Sequence, residues 1–309
     1  MADDRYGLHV ATLNTTTVGG MLGYSVSGGV NAQVQGHDGI VEPLSGEVMD
    51  ATPVFRFRSL DIWGVLQLLS TGYLGLTALD VWFQRYENKG EYKTGTGAAH
   101  LKAALATGCG ALAVARSLRP VHKQYLVAEV DVFYLSDDGL TDPVVWSTSD
   151  TMTGDVTSVP KYTLGPAVIT PSGGSATPLY TRGWDFDFGV GAEPESDSGQ
   201  PYSRWVNPAS VTPSAGIDVE DLGLVMSLPM SGKDATLDLY LRKMLPGGTR
   251  VPDGTAEHVK LSVKAGVSYT DEVGGEHGQK GLLPVRMQVV SDGTNPIFAV
   301  SQSAMPSMT

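Results

Sequence analysis

The sequence contains itself twice. Displaced by 160 positions, Gly23 falls on Gly183, Gly29 on Gly189, Val30 on Val190, Thr52 on Thr212, Pro53 on Pro213 and Asp61 on Asp221. No gap is needed from Gly23 to Leu68, where 10 of 46 positions are identical; about three would match by chance at average composition. A displacement of 158 then aligns Leu79-Asp80 with Leu237-Asp238, His100 with His258 and Lys102 with Lys260, and one of 154 aligns Asp138-Gly139 with Asp292-Gly293. The order is preserved and the length changes fall in turn-like stretches, which argues that one folding unit was duplicated and fused. A unit of about 150 residues is too long for a solenoid repeat and long enough to bury its own core. Two similar domains are expected, 1–165 and 166–309. The stretch Tyr162–Tyr180 between them is rich in Gly, Ser, Thr and Pro and reads as a linker.

Each unit reads as mainly β. Leu126–Leu135 puts Leu126, Ala128, Val130, Val132 and Tyr134 on one face, and Val54–Arg58 and Trp184–Phe188 alternate in the same way. Leu79–Gln84 and Leu237–Arg242 are matching strands. One helix per unit is expected. In the first, Ser59 is the expected N-cap and Asp61 lies in the first turn; in the second, Asp218–Leu228 repeats the pattern and Pro229 stops it. Ala98–Ala106 has helical composition, but its partner His258–Lys264 alternates, so a strand is expected. Each unit is then an antiparallel β-sandwich or half-barrel flanked by one α-helix.

The chain offers no convincing active site. The six histidines form no metal spacing, no phosphate-binding loop occurs, and the carboxylate pairs Asp137-Asp138, Asp185/Asp187 and Glu220-Asp221 read as turn, strand face and helix start. Gly36–Gly39 and Ser196–Gly199 lack a calcium loop's run of oxygen donors and read as hairpin turns. No enzyme activity, cofactor or metal is expected. The lone Cys109 excludes an internal disulfide and reads as a small residue in a packed strand. With 21 basic and 33 acidic residues the net charge is −12, which opposes gripping nucleic acid by its phosphates but permits DNA to slide past. The start of the sequence is polar, without a signal-like core, and no apolar run has the length of a membrane span, so a protein made in the cytoplasm is expected.

The order within each half is specific: a strand ending in Gly-Val, a polar turn, Thr-Pro, a short β segment, a capped helix, a Gly-rich hairpin, and a long strand into Asp-Gly with proline beyond (Pro143, Pro296). Val18-Gly19-Gly20 leads into Gly23-Tyr-Ser-Val26, and Arg56-Phe-Arg-Ser-Leu-Asp-Ile62 marks the helix entry. This arrangement resembles the tail tube (major tail) proteins of long-tailed bacteriophages, of a duplicated-domain type, whose related folds include contractile-tail tubes and the tube of type VI secretion. The usual member carries one such domain and forms six-membered rings. Two per chain imply a homotrimeric, pseudo-hexameric ring, stacked into a hollow virion conduit for DNA. The resemblance implies as partners other copies of the chain and other tail proteins (tape measure, terminator, baseplate or sheath), with DNA passing unbound. Three chains carry 3 × (−12) = −36 charges per ring, so bore-facing acids would repel phosphates; Glu129, Asp131, Asp185 and Asp187 are the candidates. The loops Arg85-Tyr86-Glu87-Asn88-Lys89-Gly90 and Lys243-Met244-Leu245-Pro246-Gly247-Gly248 occupy equivalent places and are candidates for ring stacking, the second because its tip is apolar. Two alternatives stand beside the tube. One is another virion ring, a tail terminator or baseplate tail-end ring. The other is a duplicated carbohydrate-binding or adhesin module, in which Trp63, Trp82, Trp146, Trp184 and Trp205 would stack on sugars, although most sit in apolar patterns that read as core.

Overall fold

Alternating apolar and polar residues give strands with one buried face. Val54–Ser59 shows it plainly: Phe55, Phe57 and Ser59 are buried while Arg56 and Arg58 are exposed. Such strands make up most of the described residues. The computed structural model describes residues 6–35, 45–85, 100–150, 158–179, 181–219, 233–245, 247–270, 283–291, 293 and 296–306. The first half runs β1 (Tyr6–Leu13), β2 (Thr16–Val18), β3 (Met21–Ser27), β4 (Val30–Gln35), β5 (Ser45–Ala51), β6 (Val54–Ser59), α1 (Ile62–Leu68), β7 (Tyr73–Leu76), β8 (Leu79–Arg85), β9 (His100–Leu105), β10 (Gly110–Ala115), β11 (Ser117–Leu118), β12 (Ala128–Leu135) and β13 (Val144–Asp150). The second runs β14 (Lys161–Pro171), β15 (Thr177–Leu179), β16 (Thr181–Asp187), β17 (Val190–Glu195), β18 (Trp205–Val211), β19 (Ser214–Val219), β20 (Lys233–Met244), β21 (His258–Thr270), β22 (Leu283–Val289) and β23 (Phe298–Ser303). The mainly β reading holds.

The first half folds into two five-stranded sheets, β13-β9-β8-β1-β2 and β3-β6-β12-β10-β7, with β4–β5 as a separate two-stranded arm. The second half repeats these pairings strand for strand. β14–β15, β14–β20, β20–β21 and β21–β23 correspond to β1–β2, β1–β8, β8–β9 and β9–β13. β16–β19, β19–β22 and β21–β22 correspond to β3–β6, β6–β12 and β10–β12, and β17–β18 is the second arm. Register repeats as well: Trp82 faces Lys102 as Tyr240 faces Lys260, and the bulge at Met21/Gly23 recurs at Thr181/Gly183. The halves differ at one corner. The first breaks at Ala106–Cys109, between β9 and β10, and makes two sheets; β21 runs through unbroken and merges eight strands of the second half into one sheet, which β11 of the first half extends to nine.

Several sequence expectations are corrected. The stretch read as a linker is sheet: β14 and β15 lie within it, and position 165/166 falls inside β14. The N-cap of α1 is Asp61, whose carboxylate accepts from the Gly64 N–H at 3.1 Å. Ser59 sits one step outside; its hydroxyl donates to the Gly19 carbonyl at 2.6 Å and accepts from the Asp61 N–H at 2.9 Å. Of the second expected helix, Asp218 and Val219 belong to β19, and residues 220–228 lie outside the described residues. The strand expected from the alternation of its partner is present in Ala98–Ala106 as β9 (His100–Leu105); Ala98 and Ala99 lie outside the described residues. Cys109 is buried, but in the turn before β10 rather than in a strand.

One continuous apolar core serves both halves, from Phe57 and Val132 to Phe186 and Leu239. The repeated identities have structural reasons. β3 runs into β4, and β5 into β6, so the four strands form one long bent ribbon; β16–β19 and β17–β18 do the same. Each ribbon bends at a glycine with positive φ, Gly29 (56°) and Gly189 (61°). A Cβ there would stand 2.1 Å from the carbonyl oxygen of Thr52 or Thr212. Only glycine fits that bend.

Candidate functional site

Two elements join the halves, and together they form the surface most suggestive of a role. First, one chain segment belongs to both sheets. β10 pairs with β12 up to Ala115↔Val130; immediately beyond Arg116, β11 pairs with β16, Ser117 opposite Asp187 and Leu118 opposite Phe186. The Phe188 N–H donates to the Arg116 carbonyl at 3.3 Å, closing the seam. Second, the β17–β18 arm folds back over the first half. The hydroxyls of Thr52 and Ser203 lie 2.6 Å apart, the Ser136 N–H donates to the Ser203 carbonyl, and Arg204 Nε donates to the Asp137 carbonyl. Leu112, Val114 and Phe133 on the first half's sheet, and Val190 and Val206 of the arm, all lie in the common core. A Cβ on Gly139, at φ 74°, would collide with Gln200 of the arm, so that seat requires glycine.

The four expected bore-facing acids sit on the faces of β12 and β16 turned away from the sandwich core, but not as bare charges. Asp131 is wholly buried between two arginines: Arg56 Nε donates to one carboxylate oxygen at 2.8 Å, and Arg116 Nε to the other at 2.7 Å. Glu129 pairs with Arg58 at 3.1 Å, and Asp185 with Arg286 at 2.9 Å. Asp187 accepts from the Gly189 N–H at the ribbon bend, at 2.9 Å. Arg286 occupies the position in β22 that Asp131 occupies in β12, while Asp185 replaces Ser25 and Gly216 replaces Arg56. The polarity of the pair is thus exchanged between halves. Gly216 is what lets Arg286 reach across a strand, for a Cβ there would overlap both partners. Three of the four acids, Glu129, Asp131 and Asp185, are thus matched by arginine, and Asp187 by a backbone N–H.

The stacking-loop candidates are only partly described. Arg85 ends β8 opposite Tyr6; Tyr86, Glu87, Asn88, Lys89 and Pro246 lie outside the described residues. Met244 closes β20 against Lys161, and Leu245 is exposed at the tip, where its N–H donates to the Thr249 carbonyl and Gly247 and Gly248 both adopt positive φ.

Groups capable of chemistry have structural work. His258 is buried, its Nδ1 accepting from the Lys243 N–H at 3.1 Å and its Nε2 3.0 Å from the Pro252 carbonyl; His100 is buried at the equivalent place. The matching ion pairs Asp80–Lys102 and Asp238–Lys260 tie equivalent strands. The Asp138 carboxylate is held well below the usual range by the N–H groups of Thr141 and Leu140 and the Thr141 hydroxyl. Burial pushes the Tyr162 phenol up to about 12. Among the described residues, no cluster of three His, Cys, Asp or Glu side chains could hold a metal, and no helix is long and apolar enough to cross a membrane. Trp82 and Trp184 are buried, whereas Trp146 and Trp205 are exposed; Trp205 donates to Glu195 and lies under Arg204.

The arm joint and the arginine partners escaped the sequence reading. The arm had a signal in the paired Gly…Thr-Pro spacing of both halves, and the arginines one in the alternation Arg56-Phe57-Arg58 opposite Glu129-Val130-Asp131. No family model matches the sequence, and no curated protein matches it.

Proposed function

We propose that this chain is the building block of a hollow tube of the kind that carries DNA through a bacteriophage tail, three chains forming a ring of six similar modules and the rings stacking along one axis. The observation that carries this reading is the joint between the halves. One module hands a strand to the edge of the next, front to back, using two different surfaces. Contacts of that kind close into rings, and rings of continuous sheet leave no free edges. A structural assembly role accords with titratable groups engaged in ion pairs, turns and buried hydrogen bonds. The tube reading places the protein in the virion, beside a tape measure, terminator and baseplate or sheath.

The face bearing Glu129, Asp131, Asp185 and Asp187 is assigned to the bore. Matched carboxylates and arginines would present DNA with a wall that neither grips nor strongly repels phosphate. Glu129→Gln, Asp185→Asn and Asp187→Asn together remove the carboxylates that face Arg58 and Arg286 across the strands. DNA ejection should then slow while assembly proceeds; ejection at the wild-type rate rejects the bore assignment.

Negative-stain microscopy with sedimentation tests the reading as a whole. Rings whose mass is three chains, stacked into tubes of open-ended length, are expected. A single-layer ring points instead to a terminator or tail-end ring. A monomer, or a ring of six whole chains, overturns the proposal.

A further inference from the structure

The joint inside the chain has two surfaces, and each has a counterpart that no described strand or arm covers. At the edge of β16, which β11 closes, Trp184, Phe186 and Val190 are 3%, 0% and 8% exposed. β3 is the same strand of the first half. Tyr24, Val26 and Val30 hold those positions and are 45%, 45% and 57% exposed. Their direction is unchanged: Tyr24 and Val26 lie opposite Phe57 and Phe55, as Trp184 and Phe186 lie opposite Ile217 and Ala215. They face a sandwich interior at an edge that no described strand closes.

The seat of the arm shows the same asymmetry. In the first half the β17–β18 arm covers Thr52, Leu112 and Ser136, all buried. The registers of β19–β22 and β21–β22 place Thr212, Val267 and Ser291 at those positions. All three are exposed, and so is Val290, which corresponds to Leu135. Val267, Val290 and Ser291 line one groove together with Gly266 and residues 171–174. The first half has an arm of its own, β4–β5, a separate two-stranded sheet whose root alone is bridged to another described segment, at Ala51 opposite Tyr202.

We propose that a second copy of this chain occupies both surfaces. Its β4–β5 arm lies in the Val267–Val290 groove as β17–β18 lies on the first half, and the same approach covers its β3 edge at Tyr24 and Val26. This rests on the tube reading above and adds the two faces of the chain-to-chain contact. The geometry is copied from the joint already made within the chain. Because front and back differ, the contact propagates from copy to copy instead of stopping at a pair.

The test uses full-length chains. Val267→Lys puts a charge in the groove; Tyr24→Lys with Val26→Lys puts two at the edge. Each variant alone should sediment as a single chain under conditions where the wild type assembles. Mixed in equal amounts, they should give dimers and nothing larger, since each retains one intact surface. Variants that assemble like the wild type, or a mixture that stays monomeric while both melt as the wild-type chain does, overturn the inference. Hydrogen exchange on wild-type protein answers the same question without substitution: assembly should slow exchange about tenfold or more at residues 21–27 and 287–291, and unchanged exchange at both overturns it. Wild-type rings indifferent to these lysines sink this inference alone, whereas a wild-type chain that never assembles sinks the tube reading itself.

Discussion

Asp61 and Asp131 are both carboxylates on polar positions, and their surroundings give them different work. Asp61 caps α1 through the Gly64 N–H, and burial raises its pKa. Its folded-state pKa exceeds the unfolded one, so its contribution is greatest at low pH and declines as pH rises through the raised value. Asp61→Ala should cost about 1 kcal/mol, measured by denaturant midpoint. Asp61→Asn keeps the acceptor, should stay within about 0.5 kcal/mol, and should lose that pH dependence. Asp131 is buried, but its arginines are about half exposed. Removing the acid leaves two cations that water can reach; removing the arginines leaves a carboxylate that it cannot. Asp131→Asn should therefore cost about 1–2 kcal/mol, and the double variant Arg56→Ala, Arg116→Ala about 3–5 kcal/mol. Equal losses would refute this account of the triad.

Among elements, the bent ribbon accounts for more of the repeat than any other feature. Gly29, Gly189, Thr52, Thr212, Pro53 and Pro213 match because they make the same bend, not because they share a site. Gly189→Ala should lower stability by about 1–3 kcal/mol, read from the thermal midpoint, since the new Cβ meets the Thr212 carbonyl. A change below about 0.5 kcal/mol would show that the bend relaxes freely. Strand positions were legible wherever one face met the core, as in β6, β12 and β16. β14 was not: Thr163-Leu164-Gly165-Pro166 has the composition of a connection. It is a strand because β20 and β15 pair with it from either side, with a bulge between Leu164 and Ala167. Composition records local preference, and a central strand is imposed by its neighbours.

At the scale of the molecule, the proposed tube would assign the apolar loop tip and the uncovered edge to different directions of growth. In the proposed tube, β3 and the Val267 groove would serve lateral contact. Leu245, exposed beyond β20, suits contact along the axis. Met244→Ser with Leu245→Ser should leave rings intact and shorten or abolish tubes in micrographs; tubes of wild-type length would remove the loop from the stacking contact. The two sets of substitutions should therefore fail at different stages, which makes lateral and axial assembly separable in one preparation.

By itself the sequence determined the repeated pattern, the mainly β character, a helix just after Ser59 though not its cap, and the strands with clean alternation. These follow from periodicity and from backbone angles that only glycine accepts, and both are local. The tertiary structure alone decided what crosses from one half to the other. Leu118 opposite Phe186, the arm seated by Ser203, and Arg286 reaching past Gly216 to Asp185 link residues distant in the chain. No local pattern encodes such partners, because each side chain is compatible with either solvent or a neighbour until the sheet edge beside it is filled. That is why Trp184 and Tyr24, equal in sequence position, differ in burial.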